Sequence, residues 1–138
     1  SIAAERDGVG CAVCLWGIAR SLMPDVNNYK TSRHSRDAAR AALAAAEAAI
    51  IDGHQSQSSD EFQKKSKKLA TLVASARAFF GTHEPNDGDS ESAQLAAHER
   101  YLTHLYRAVS SENEFASDAD LLALAGEAAM NLTPWRYW

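Results

Sequence analysis

Nine of the twelve residues from Ala38 to Ala49 are alanine, interrupted only by Arg40, Leu43 and Glu47. Alanine loses no side-chain entropy in a helix and has no polar group to compete for the backbone, so the run commits this stretch to helix. It also lacks bulk, which lets neighbouring helices approach closely, with Leu43, Ile50 and Ile51 as anchors. The helix is expected over residues 35–52, with Gly53 ending it.

Four more segments read the same way. The first runs from Ala3 or Val9 to Met23, where Pro24 stops it. It is almost wholly apolar despite Gly8, Gly10 and Gly17, and such a helix is expected at the centre of a bundle. The third opens on Ser58-Ser59-Asp60-Glu61, a capping-box pattern, buries Phe62, Leu69, Leu72, Val73, Ala76, Phe79 and Phe80, and ends at Gly81. After a polar loop over residues 83–89, the fourth spans 90–109, with Leu95, His98, Leu102, Leu105 and Val109 at helical spacing. The fifth follows Ser117-Asp118 and buries Leu121, Leu124, Ala125, Ala128 and Leu132 before Pro134. No stretch alternates β-branched residues. The expected fold is all-α, a compact bundle of about five helices in a single domain over residues 1–138.

Charge is unevenly distributed. Residues 30–83 hold nine Lys/Arg against five acids, and residues 84–127 hold ten acids against Arg100 and Arg107. Arg33, Arg36 and Arg40 lie one turn apart near a helix start, where a cation opposes the helix dipole. A bound anion or acidic partner would offset that cost, so the three are a candidate binding patch opposite an acidic surface over 84–120. Lys64, Lys65, Lys67 and Lys68 form a second basic cluster. With a net charge of −4 and no interleaved aromatics, nucleic acid is not the favoured partner. The aromatic tail Trp135-Arg136-Tyr137-Trp138 carries two residue types common at binding hot spots, so Trp135 and Trp138 join the candidate binding set.

His98 sits among leucines, and Glu47 is the sole acid of the alanine run. If the second and fourth helices are neighbours, Glu47 orients His98, and Tyr101 adds a hydroxyl to a small-ligand or catalytic pocket.

Cys11-Ala-Val-Cys14 resembles the CxxC of the all-α carboxymuconolactone-decarboxylase and AhpD-like families, where a histidine follows four residues later. That resemblance implies thiol redox chemistry, but Ile18 stands at the histidine position, and the pair is read as two small apolar groups packed in the helix interface. No second cysteine pair completes a zinc site, so no metal and no cofactor is expected. Arg77 and His83 resemble the arginine–histidine spacing of HEPN-type helical ribonucleases, which implies RNA cleavage. Ala78 stands where those carry a polar residue, and Gly81 ends the helix before His83.

Two cysteines make no disulfide framework, which points to a reducing, cytoplasmic setting. The apolar run of residues 9–19 covers eleven residues against roughly 20 for a membrane span. The functional expectation is a non-catalytic interaction or regulatory module that binds a protein partner or itself. The alternative is a pocket at His98, Glu47 and Tyr101.

Overall fold

The structure is a computed structural model and describes residues 9–25, 27–28, 30–54 and 59–133. Among these residues there are five α-helices and no strand: α1 Val9–Ser21, α2 Arg33–His54, α3 Asp60–Phe80, α4 Glu91–Ala108 and α5 Ala119–Leu132. No helix among them is long and apolar enough to cross a membrane.

Four helices start on a side-chain oxygen. Ser32 accepts from the Ser35 N–H, Ser59 from Phe62, Ser90 from Ala93 and Asp118 from Leu121, each satisfying a backbone donor that the first turn leaves open. The cap of α3 is thus Ser59, one residue after the Ser58 of the expected capping box; Ser58 itself lies outside the described residues. Gly81 ends α3 at a φ of 68°, a left-handed conformation that costs glycine nothing, and its N–H donates to the Arg77 carbonyl at 2.8 Å.

The hub of the packing is α3, which contacts α1, α2 and α4, while α1 lies chiefly on α2 and α5 on α4. Leu69, Val73, Ala76, Phe79 and Phe80 of α3 meet Leu43, Ala46 and Ile50 of α2, with Tyr101 and Leu105 of α4 and Leu121 of α5 completing the core. This corrects the central place expected for α1. Its buried ridge is narrow, formed by Ala12 and Ala19 and continued by Met23, whereas Val13 and Ile18 are 48% and 50% exposed. Small residues on the buried ridge let α1 lie close on α2, with Leu15, Trp16 and Leu22 packed at its edges and Val13 and Ile18 left outside.

The buried stripe of α4 also sits one residue away from the expected one. Gln94, Ala97, His98, Tyr101, Leu105 and Ala108 are buried, and Leu95 is 45% exposed. Gln94 is held in the stripe because its Oε1 accepts from the Thr31 N–H at 3.0 Å. Thr31 Oγ1 in turn donates to the Leu22 carbonyl, which brings the end of α1 beside the start of α2 and makes the two a hairpin.

Candidate functional site

Arg36 and Arg40 are the first site residues whose surroundings differ from expectation. One and two turns into α2, they point at the C-terminal end of α3 and are buried, their side chains only 6% and 9% exposed. Arg36 Nε donates to Glu84 Oε1 and Oε2 at 3.0 and 3.2 Å, its second terminal nitrogen bonds Glu84 and Asp89, and its first donates to the Thr31 carbonyl. Arg40 donates to Glu84, Asp37 and the Phe80 carbonyl. One carboxylate between two guanidiniums is held strongly ionised: hydrogen bonds from Arg36 and then Arg40 bring Glu84 from 4.5 down to about 2. The anion that offsets the misplaced arginines is therefore an internal one. Arg33 remains exposed, and an exposed patch shared by Arg33, Arg36 and Arg40 does not form.

Arg40, with Arg77 and Arg100, also finishes α3. Arg100 donates to the Ala78 and Phe79 carbonyls at 2.9 and 3.4 Å, Arg40 to Phe80 at 3.0 Å, and Arg77 to Gly81 at 3.3 Å. Guanidinium groups thus occupy the carbonyls that a helix C-terminus leaves open, where the dipole favours cations. Part of the lysine cluster is paired within the chain as well: Lys68 with Asp118 and Asp120, and the exposed Lys67 with Glu114, while Lys64 and Lys65 stay exposed. The charge segregation along the sequence is consequently spent, in large part, on ion pairs that join the basic middle of the chain to its acidic later part.

His98, Glu47 and Tyr101 do not converge. Glu47 forms a two-pronged pair with Arg77 at 3.0 and 2.9 Å, linking α2 to α3. His98 stands edge-on to the Phe79 ring with centroids 4.9 Å apart. Neither of its ring nitrogens has a hydrogen-bond partner, and burial lowers its pKa. Tyr101 faces the Arg20–Glu127 pair, and burial pushes its hydroxyl up to about 12, where it stays protonated. A cavity of about 120 Å³ at the end of α3 is lined by Phe80, His83, Gly88, Gln94 and Arg100 among others, but by none of the three. Arg77 does not line it either, and its guanidinium is engaged by Glu47 and by the Gly81 carbonyl. Among the described residues no group of three or more His, Cys, Asp or Glu is placed to hold a metal ion. Trp135 and Trp138 lie outside the described residues.

What the sequence reading missed is the outer face of the α1–α2 hairpin. On α2, Ala38, Ala41, Ala45 and Ala48 fall at helical spacing and all are exposed, with Ala44 and Ile51 beside them. On α1, Cys11, Cys14 and Ile18 share one exposed face. Arg20, on the other flank of the buried Ala12–Ala19 ridge, reaches Glu127 of α5. The expectation of two packed cysteines is corrected: both thiols are exposed and free. No residue from 11 to 18 is charged, and from 38 to 51 Glu47, 45% exposed and paired with Arg77, reaches solvent at the edge of the ridge, with Asp37 and Asp52 exposed at its two ends. The alanine run was the available signal, since its apolar residues outnumber what one buried helix face can take in.

No protein-family model, no curated protein and no solved structure matches this chain.

Proposed function

We propose that the protein is a non-catalytic helical module that associates with a second copy of itself through the alanine-rich, mainly apolar outer face of α1 and α2. The observation that carries this reading is the contrast between that face and the rest of the surface. Elsewhere charges are numerous and many are paired within the chain, whereas Cys11, Cys14 and Ile18 of α1 and the Ala38–Ala48 ridge of α2 are exposed, apolar and unpaired with any helix.

A second copy suits this face better than a charged partner. The net charge of −4 resists close approach of two copies, and the alanine ridge itself brings no charge to the contact, the acids Asp37 and Asp52 standing at its ends. Alanine on the surface lets two α2 helices pack near the lower end of the usual 8–10 Å spacing. From a 1.5 Å rise per residue and two helices side by side, the face covers roughly 300–400 Å². That is about half the 800 Å² per partner of a standard stable interface, so the dimer is weak and reversible.

Sedimentation equilibrium from about 10 μM to about 1 mM tests this, since that range brackets the affinity of so small an interface. The expected result is a concentration-dependent rise in mass that does not weaken with salt, because the contact is apolar and the acids at its ends, Asp37 and Asp52, are of one sign. Ala45→Arg keeps a good helix former at an exposed position and should leave a monomer with an unchanged circular dichroism spectrum. A wild-type monomer throughout, or association that salt dissolves, overturns the proposal.

A further inference from the structure

Free cysteine is among the most buried of residue types, and yet Cys11 and Cys14 are both exposed. Their buried neighbours Ala12 and Ala19 hold α1 to the bundle, so the two thiols contribute nothing to the core. Being three residues apart in α1, they share a face. A rise of 1.5 Å per residue on a 2.3 Å radius separates their Cα atoms by about 5 Å, inside the 4.4–6.8 Å range of disulfides.

We infer that Cys11 and Cys14 form a dithiol site that exchanges with small-molecule disulfides, closing reversibly to a disulfide within one chain. The inference does not depend on self-association, because both sulfurs belong to the same helix.

The backbone favours a reversible bond over a permanent one. Cβ atoms at this spacing stand about 5–6 Å apart in a regular helix, and a disulfide needs about 3.5–4.5 Å. The first turn must tighten toward 3₁₀ geometry, in which side chains three apart eclipse. Cys11 lies within that turn, whose N–H groups make no bonds inside the helix, so tightening there sacrifices few hydrogen bonds. The remaining strain keeps the closed form easy to reopen. There is no acidic residue in the first turn of α1 to repel a thiolate or an anionic disulfide.

In the first step one cysteine thiolate attacks a sulfur of the small disulfide. That S–S bond breaks, and the departing small thiolate takes up a proton equivalent to the one the cysteine released. The second cysteine, deprotonated by solvent, then attacks the mixed disulfide at the protein sulfur. The mixed bond breaks and the second small thiolate leaves, protonated in turn. Two protein thiols are oxidised to one disulfide while one small disulfide is reduced to two thiols.

Oxidised glutathione is the probe, applied to dilute wild type and to Ala45→Arg, with intact mass read under non-reducing conditions. The expected product in both is a single chain that has lost its two thiol hydrogens, retains no glutathione and is restored by reduced glutathione. Cys11→Ser and Cys14→Ser, both at exposed positions, should each retain one glutathione. A chain that retains glutathione on both cysteines, or that does not react while a free cysteine peptide does, overturns the inference. Chains linked to each other in wild type but not in Ala45→Arg also overturn it, and that pattern would leave the self-association reading standing.

Discussion

Glu84 is the one carboxylate between two buried guanidiniums, and replacing it with glutamine isolates its charge while keeping its shape. Its carboxyl is held at about 2 in the folded chain against 4.5 unfolded. At about 1.36 kcal/mol per pKa unit, the ionised side chain is favoured by roughly 3 kcal/mol in the folded state at neutral pH. The carboxylate edge is 17% exposed, and Asp37 and Asp89 remain to partner Arg40 and Arg36 from solvent. Both considerations move the expected loss for Glu84→Gln to about 2–3 kcal/mol, below the upper range for breaking a buried pair. The loss arises from two guanidiniums left buried without their shared anion; it is not the net worth of the ion pair against an apolar core.

The pH dependence supplies a second, independent reading. Because the folded pKa is depressed, the unfolded chain takes up the proton first, and stability is fully present above about 4.5 and lost as pH falls toward 2. At pH 3 the remaining contribution works out at about 1 kcal/mol. Urea unfolding followed by circular dichroism should therefore show the gap between wild type and Glu84→Gln narrowing from about 2–3 kcal/mol at pH 7 to about 1 at pH 3. A loss under about 0.5 kcal/mol at neutral pH, the value of an ordinary surface pair, refutes the reasoning. So does a gap that stays as wide in acid.

Two further outcomes follow from neighbouring groups. His98→Leu removes two buried nitrogens that lack partners, so urea midpoints at neutral pH should be unchanged or higher by the equivalent of about 1 kcal/mol. Burial depresses the folded pKa of His98, so wild type loses stability as pH falls below about 6.5; the variant should lack that component, and a parallel decline in both would contradict it. Gly88→Ala should cost about 1–3 kcal/mol in thermal or urea unfolding, because a Cβ there falls on the Glu84 carboxylate and touches Arg36. A neutral result would mean that the ion cluster shifts freely.

The helices were legible because their signals are local. Alanine content, a serine three residues before an open backbone donor and a glycine after a double phenylalanine each act within one turn, and α3 ends at Gly81 as the sequence implies. Which face of a helix is buried is less local. In α4, Leu95 is hydrophobic enough for the core, but Gln94 takes the interior place because Thr31, 63 residues away, offers it a donor. In α1 the apolar residues outnumber the places α2 and α3 can offer, so Ile18 and both cysteines face out while alanines face in. Composition gives how much apolar surface a helix carries, and only its neighbours decide how much of it they cover.

The same distinction separates the basic segment of the sequence from a basic surface in the fold. Arg33, Arg36 and Arg40 follow a spacing that suits a docking face, but spacing fixes only their side of a helix and not what stands opposite. Glu84 stands opposite Arg36 and Arg40, in a loop that reads as plain polar linker. Opposite charges on one chain attract each other at an effective concentration that no separate partner matches, since the fold already holds them together. A long acidic stretch following a basic one is therefore a signal first for pairing within the chain. In this chain that pairing consumes Arg36 and Arg40, and the exposed alanines of α2 with Cys11, Cys14 and Ile18 of α1 form the apolar surface on which the proposed self-association rests.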